Sequence, residues 1–198
     1  MIVSTPDVEE AAGHAAEMYE ADLREDGFVY AHTRAMAVNP EAHQAFEALI
    51  RALLPSIGLR TYELATLGAA RALRSEHCLL AHGRKSLRAG ILDEDDLAGL
   101  VRDGTDAGLS EGDAAVVAYA ERLSTDAAAM TDADAQRLRD AGFTDRQIVD
   151  ITLAAGARNF FSRSLQALAV PVEEVPGLSP SLASALRTPR EASRISGG

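Results

Sequence analysis

The chain has 198 residues, 47% of them hydrophobic, with no tryptophan, one cysteine and a formal net charge of −11, which suits one domain with a sizeable core. That charge, spread along the chain, repels phosphate backbones and argues against nucleic-acid binding. A single cysteine excludes an internal disulfide and fits a reducing, cytoplasmic setting, while no apolar run approaches the ~20 residues that cross a bilayer and MIVSTPDVEE lacks the features of a signal peptide.

No sustained alternation of apolar and polar residues marks a strand, so the chain reads as all-α. A first helix is expected from Pro6 to Asp26, capped by Asp7, with Ala11, Ala15, Met18, Tyr19 and Leu23 as a thin apolar stripe and Gly27 as its stop. After Phe28, Val29, Tyr30 and a short segment to Met36, Asn39-Pro40 signals a helix start, because proline suits the first helical position. Phe46, Leu49, Ile50 and Leu53 then recur at i, i+3, i+4 and i+7, an amphipathic helix that Pro55 and Gly58 interrupt. The next helix, from about residue 60 to 74, carries Leu64, Leu67, Ala70 and Leu73 on one face. Glu63 lies at the border of that face, either as a partly buried functional carboxylate or as the solvated edge of the helix.

The stretch SEHCLLAH (Ser75–His82) follows. Ser75 is the expected N-cap of a new helix, its hydroxyl accepting from a backbone N–H. Cys78 then sits near the third helical position, where the positive end of the helix dipole favours thiolate. His82 is one turn along on the same face, within reach of Cys78. A cysteine with an imidazole one turn on and a carboxylate nearby has the composition of an activated nucleophile. The same residues admit a buried structural cysteine beside a satisfied histidine. His77 and Cys78 diverge by about 100° on a helix, which disfavours a metal site drawn from Glu63, His77, Cys78 and His82. DEDD (Asp93–Asp96) reads as a solvated helix start. No metal and no cofactor is expected.

A short internal echo comes next: LRAGILDEDDL (Leu87–Leu97) is similar to LRDAGFTDRQI (Leu138–Ile148) with one residue inserted. In each, a helix ends at Ala-Gly and a capped start opens the next, so Gly90 and Gly142 are natural left-handed terminators. The echo suggests two similar helical halves. Between them Val116, Val117, Ala120 and Leu123 mark a core-facing helix, and Ser110 with Asp113 and Thr144 with Gln147 form N-capping patterns. From Thr144 to Leu168 the chain is helical, with Arg158, Asn159 and Arg163 set among apolar residues. Prolines 171, 176, 180 and 189 then recur, giving an extended Pro/Ser-rich tail with one short helix near 181–186, disordered or wrapped on a neighbouring subunit. The expected organisation is an N-terminal helix over 1–27, one domain over 28–172 and the tail over 173–198.

Glu63 followed by SEHCLLAH resembles the core motif of the AhpD-like proteins of the carboxymuconolactone decarboxylase superfamily, in which a Glu precedes C-x-x-C-x-x-x-H by one helix. The stretch from Leu109 to Arg163 is similar to the C-terminal region of its peroxidase-related branch, so the resemblance spans about residues 28–172. It implies an all-α, homo-oligomeric protein (a dimer, trimer or hexamer) acting on a small-molecule substrate. By residue, it assigns Cys78 as the peroxidatic cysteine, His82 and Glu63 as its proton relay, His77 as a neighbouring site histidine and Asn159 as a pocket residue. Ser75 occupies the position of the resolving cysteine, so an oxidised Cys78 would need an external thiol reductant. Three activities follow: a one-cysteine hydroperoxidase, acid–base lyase or decarboxylase chemistry on a small organic acid or lactone, or a redox-inactive helical oligomer.

Overall fold

The computed structural model describes residues 1–106 and 108–187; Pro189 and the end of the expected tail lie outside the described residues. Within them the chain is all helical: α1 (His14–Asp26), α2 (Ala31–Met36), α3 (Pro40–Ala72), α4 (Glu76–Arg88), α5 (Glu94–Asp103), α6 (Glu111–Asp126), α7 (Asp132–Asp140), α8 (Asp145–Ala167) and α9 (Pro180–Arg187). Asn39 caps α3 as its sequence suggests, its side chain accepting from Ala42 N–H at 3.0 Å, with Pro40 just inside the helix. Gly58, at φ 71°, ψ 165°, splits α3 into an outer arm, 40–57, and an inner arm, 59–72.

The inner arm is the axis of the molecule. Leu64, Ala65, Leu67, Ala69 and Ala70 are wholly buried, and each buried leucine contributes about 1.5–3 kcal/mol. α4, α6 and α8 pack around it. Small residues set the spacing: a Cβ added at Gly68 would stand 2.9 Å from the Val117 carbonyl oxygen of α6. Glu63 is on this buried arm and is itself 2% exposed, so it belongs to the interior rather than to a solvated edge.

The echo of the two halves has a structural counterpart. After α4 the Ile91 N–H reaches the Ser86 carbonyl, and after α7 the Phe143 N–H reaches the Leu138 carbonyl, with Gly90 and Gly142 left-handed at φ 63° and 92°. Both are Schellman endings. The next helices start on Asp93, which accepts from Asp96 N–H, and on Thr144, which accepts from Gln147 N–H.

Two expectations change. The first helix begins at His14, because Gly13 adopts φ 57°, ψ −137° and the Asp7 carbonyl closes a separate turn onto Ala11 N–H. The described part of the expected tail folds back onto the body: α9 packs against α4 and α5 and buries Leu182 and Leu186 in the main core. Glu173 accepts from Ala31 N–H at the start of α2 at 2.7 Å. On the other side, Arg84 of α4 grips both oxygens of Asp26 at 2.7 Å. These contacts tie residue 173 to the start of α2 and the end of α1 to α4.

Candidate functional site

The end of α3 delivers the cysteine. Arg74 turns left-handed at φ 52°, the Ser75 N–H bonds the Ala70 carbonyl at 2.9 Å, and the Ser75 carbonyl accepts from Leu79 N–H. Residues 73–75 thus turn the chain directly from α3 into α4, which places Cys78 in the first turn of α4. Ser75 holds the N-cap position, but its side chain makes no capping hydrogen bond. The expected hydroxyl cap is therefore corrected: the residue is only 3% exposed and its backbone makes the junction.

Cys78 is 2% exposed, and its sulfur is held from α8. Arg158 Nη1 donates to Sγ at 3.3 Å and Ser162 Oγ donates at 3.1 Å. The second arm of the guanidinium reaches the Tyr62 hydroxyl at 3.5 Å. Its plane lies over the Phe161 ring, 5.4 Å from the centroid. Burial works against the cation, yet Cys78 and Tyr62 beside it raise the Arg158 pKa, so the guanidinium stays charged. Its Nε is buried with no hydrogen-bond partner among the described residues. An incompletely satisfied buried arginine aimed at a sulfur is a feature that fold stability alone does not explain.

Glu63 and His82 are brought together as the motif implies. His82 Nδ1 lies 2.6 Å from Glu63 Oε2, with both side chains buried. Burial pushes the His82 pKa down to about 4, against the pull of Glu63, and the nearby Arg158 adds to the shift. Burial pushes the Glu63 carboxyl up, but His82, Lys85 and Arg158 outweigh it and hold the group below the ordinary carboxylate range. The pair is thus a neutral imidazole donating Nδ1–H to a carboxylate, which can only accept. Nε2 is left as the basic nitrogen.

The sulfur's hydrogen bonds, among the described residues, come from α8 and not from His82, although the two share α4 one turn apart. Both face the same cavity of about 470 Å³, along with His77, Tyr62, Arg158 and Lys85. His77 donates Nε2–H to the Val170 carbonyl at 3.1 Å and stacks edge-on to His32, with ring centroids 6.0 Å apart. Burial pushes the His32 pKa down to about 3, with His77 adding to the shift.

Asn159 is not in the cavity. Its amide donates to Ser124 Oγ at 2.8 Å and to the Ala155 carbonyl, which ties α8 to α6. The neighbouring Arg158 points at the sulfur because adjacent helical residues diverge by about 100°. Arg158 and Ser162 are the residues that the sequence left without a role. Their signal was a charged side chain one turn before a serine, i and i+4, in the otherwise apolar run ITLAAGARNFFS.

Residues 40–122 match the carboxymuconolactone decarboxylase family. No curated protein matches the sequence. Among solved structures, an uncharacterized peroxidase-related protein of Ralstonia eutropha, described as an alkylhydroperoxidase AhpD core, is 20% identical with TM-score 0.69, over 96% of this chain and 97% of its own. An uncharacterized peroxidase-related protein of a Silicibacter species is 23% identical with TM-score 0.73, over 86% of this chain and 90% of its own. At these identities the likeness is one of fold. The matched segment, which carries Glu63, Cys78 and His82, is similar to the carboxymuconolactone decarboxylase family, and the whole chain takes the all-helical AhpD-like fold.

Proposed function

We propose that the protein is a one-cysteine, thiol-dependent hydroperoxidase, with Cys78 as nucleophile and His82, oriented by Glu63, as its proton acceptor and donor. The observation that carries this reading is the pairing of a buried sulfur with a buried cation, Arg158 Nη1 to Cys78 Sγ at 3.3 Å, beside a neutral imidazole. A cation and a hydroxyl on the sulfur favour its ionised form. His82 Nε2 takes the thiol proton. The thiolate then attacks the distal oxygen of a hydroperoxide, forming the S–O bond as the O–O bond breaks, and His82 returns the proton to the departing alkoxide. Sulfur is oxidised by two electrons to sulfenic acid and the peroxide is reduced to an alcohol.

Ser75 supplies no second sulfur, so turnover runs through an external thiol. One thiol condenses with the sulfenic acid, releasing water and forming a mixed disulfide, and a second displaces Cys78 as thiol. A reducing cytoplasm provides such thiols. The cavity, whose wall mixes apolar residues with basic groups and the carboxylates Asp22, Glu25, Glu47 and Glu173, has room for a small organic hydroperoxide. Exposed Val149, Leu153 and Phe160 along α8 support the homo-oligomer that the family resemblance implies.

The test is stopped-flow consumption of cumene hydroperoxide with dithiothreitol as reductant, in wild type and Cys78→Ser, with dimedone to trap the sulfenic acid. Wild type should turn over and acquire one dimedone adduct, and Cys78→Ser should do neither. Equal consumption by the two proteins ends the proposal.

A further inference from the structure

A second cluster of chemically capable side chains lies at the rim of the cavity, away from the sulfur. His14 is the first residue of α1; His43 and Glu47 stand one turn apart on the outer arm of α3. His14 Nε2 is 3.2 Å from His43 Nδ1 and 3.5 Å from Glu47 Oε2, and ligand atoms of all three residues lie within 4.8 Å of one another. His14 Nδ1 is 3.1 Å from the Glu17 carboxylate. A carboxylate only accepts, so Nδ1 carries the hydrogen and Nε2 of a neutral ring presents its lone pair. That lone pair faces Glu47, a second acceptor. His43 Nδ1–H donates to the same lone pair at 3.2 Å, a hydrogen that a bound metal ion would replace.

We propose that His14, His43 and Glu47 form a binding site for a divalent transition-metal ion of the zinc type, with two imidazole ligands and one carboxylate. The spacing suits it. Zn–N bonds of 2.0–2.1 Å at a tetrahedral angle place neighbouring donor atoms about 3.4 Å apart, and the 3.2 and 3.5 Å separations fall on either side of that value. Glu17 behind His14 is the carboxylate–histidine arrangement that fixes the ligating tautomer and strengthens the ligand. Two imidazoles select against calcium and magnesium, which require oxygen donors, and in favour of zinc, cobalt or nickel. Arg51 Nη1, 3.6 Å from the same Glu47 oxygen, is 62% exposed and able to swing away. His43 and Glu47 line the cavity, so the open fourth position faces the space that Cys78 also faces. The ion would clip α1 to α3 at the mouth of the cavity. The two histidines are 29 residues apart in sequence, which is why the sequence alone carries no metal expectation.

The competing arrangement is the metal-free His43–His14 hydrogen bond, and metal titration separates the two. The metal-free full chain is titrated with Co²⁺, read by its visible absorption, then with Zn²⁺ in competition, and melting is followed with each ion. The expected result is one equivalent bound, a rise in Tm with Zn²⁺, and affinity at least tenfold weaker in His14→Ala and in the near-isosteric Glu47→Gln. Cys78→Ser binds as wild type does. Wild-type affinity in folded Glu47→Gln, absence of stoichiometric binding, or loss of binding in Cys78→Ser (which would move the ion to the sulfur) overturns the assignment.

Discussion

Replacing Arg158 with methionine isolates what the buried cation does for the sulfur. Methionine keeps most of the length and the packing on Phe161, and it removes both the Nη1–Sγ contact at 3.3 Å and an Nε that has no partner among the described residues. Removing one member of a balanced buried charge set also costs fold stability, so the reactivity of Cys78 is compared in protein shown to be folded. A hydrogen bond to a charged group is worth about 1.5–3 kcal/mol, and each 1.36 kcal/mol is a factor of ten, so the alkylation rate at neutral pH should fall about ten- to hundredfold. The assay is the iodoacetamide alkylation rate of Cys78, followed by mass at pH 7 and again in strong base. Arg158→Met should be slower by that factor at pH 7 and approach the wild-type rate in base, where both sulfurs are ionised. Ser162→Ala, which removes the 3.1 Å hydroxyl contact, should slow the pH 7 reaction only about two- to tenfold, as a neutral donor would. Wild-type alkylation at pH 7 in folded Arg158→Met would refute the reasoning.

The remaining predictions concern the fold. His82 and His32, pushed down to about 4 and about 3 by burial, bind protons in the unfolded chain below pH ~6.5 but not in the native one. Stability should therefore be full above that pH and fall as the pH drops toward 4, and Glu63, held low, adds a further loss below about pH 4.3. Urea midpoints between pH 8 and 4.5 should show the decline, flattened in His32→Gln; a level wild-type profile contradicts it. Gly68→Ala forces a Cβ to 2.9 Å from the Val117 carbonyl oxygen, which is backbone and cannot yield. It should lose about 1–3 kcal/mol in urea unfolding, and unchanged stability would deny the tight α3–α6 contact. Ala169 ends α8 in the left-handed region at φ 49°, so Ala169→Gly should gain about 0.5–1 kcal/mol by the same measurement.

What was legible in the chain was local. Asn39-Pro40, Thr144 with Gln147, and the paired Ala-Gly endings at Gly90 and Gly142 specify their structure within one helical turn, and each forms the cap or terminator its sequence suggests. Glu63 and His82 were legible through the family motif, and the 2.6 Å contact brings them together. The donors to the sulfur were not legible. Arg158 and Ser162 lie 80 and 84 residues from Cys78, and helical periodicity names a face but not the partner that face will meet. The same limit explains Asn159, which shares a helix with Arg158 but turns toward α6. It also explains α9, whose two buried leucines find their places only once α4 and α5 are packed.

The two pairs at the site make most sense as one charge-balanced cluster. Before reaction the buried charges are Glu63, negative, and Arg158, positive, with His82 and Cys78 neutral; they sum to zero. Passing the thiol proton to His82 gives two negative and two positive groups, and the sum is still zero. Creating a lone thiolate in a buried site would carry a large desolvation penalty, but here the transfer only redistributes charge among groups already held by hydrogen bonds. Arg158 meets the new anion on the sulfur and Glu63 meets the new cation on the imidazole. Neither pair achieves this alone. Without Arg158 the thiolate is unpaired; without Glu63 the imidazolium is, and burial already disfavours that form. The proposed mechanism thus requires four side chains from three helices, α3, α4 and α8, and under it the balance of charge is what lets a buried lone cysteine react.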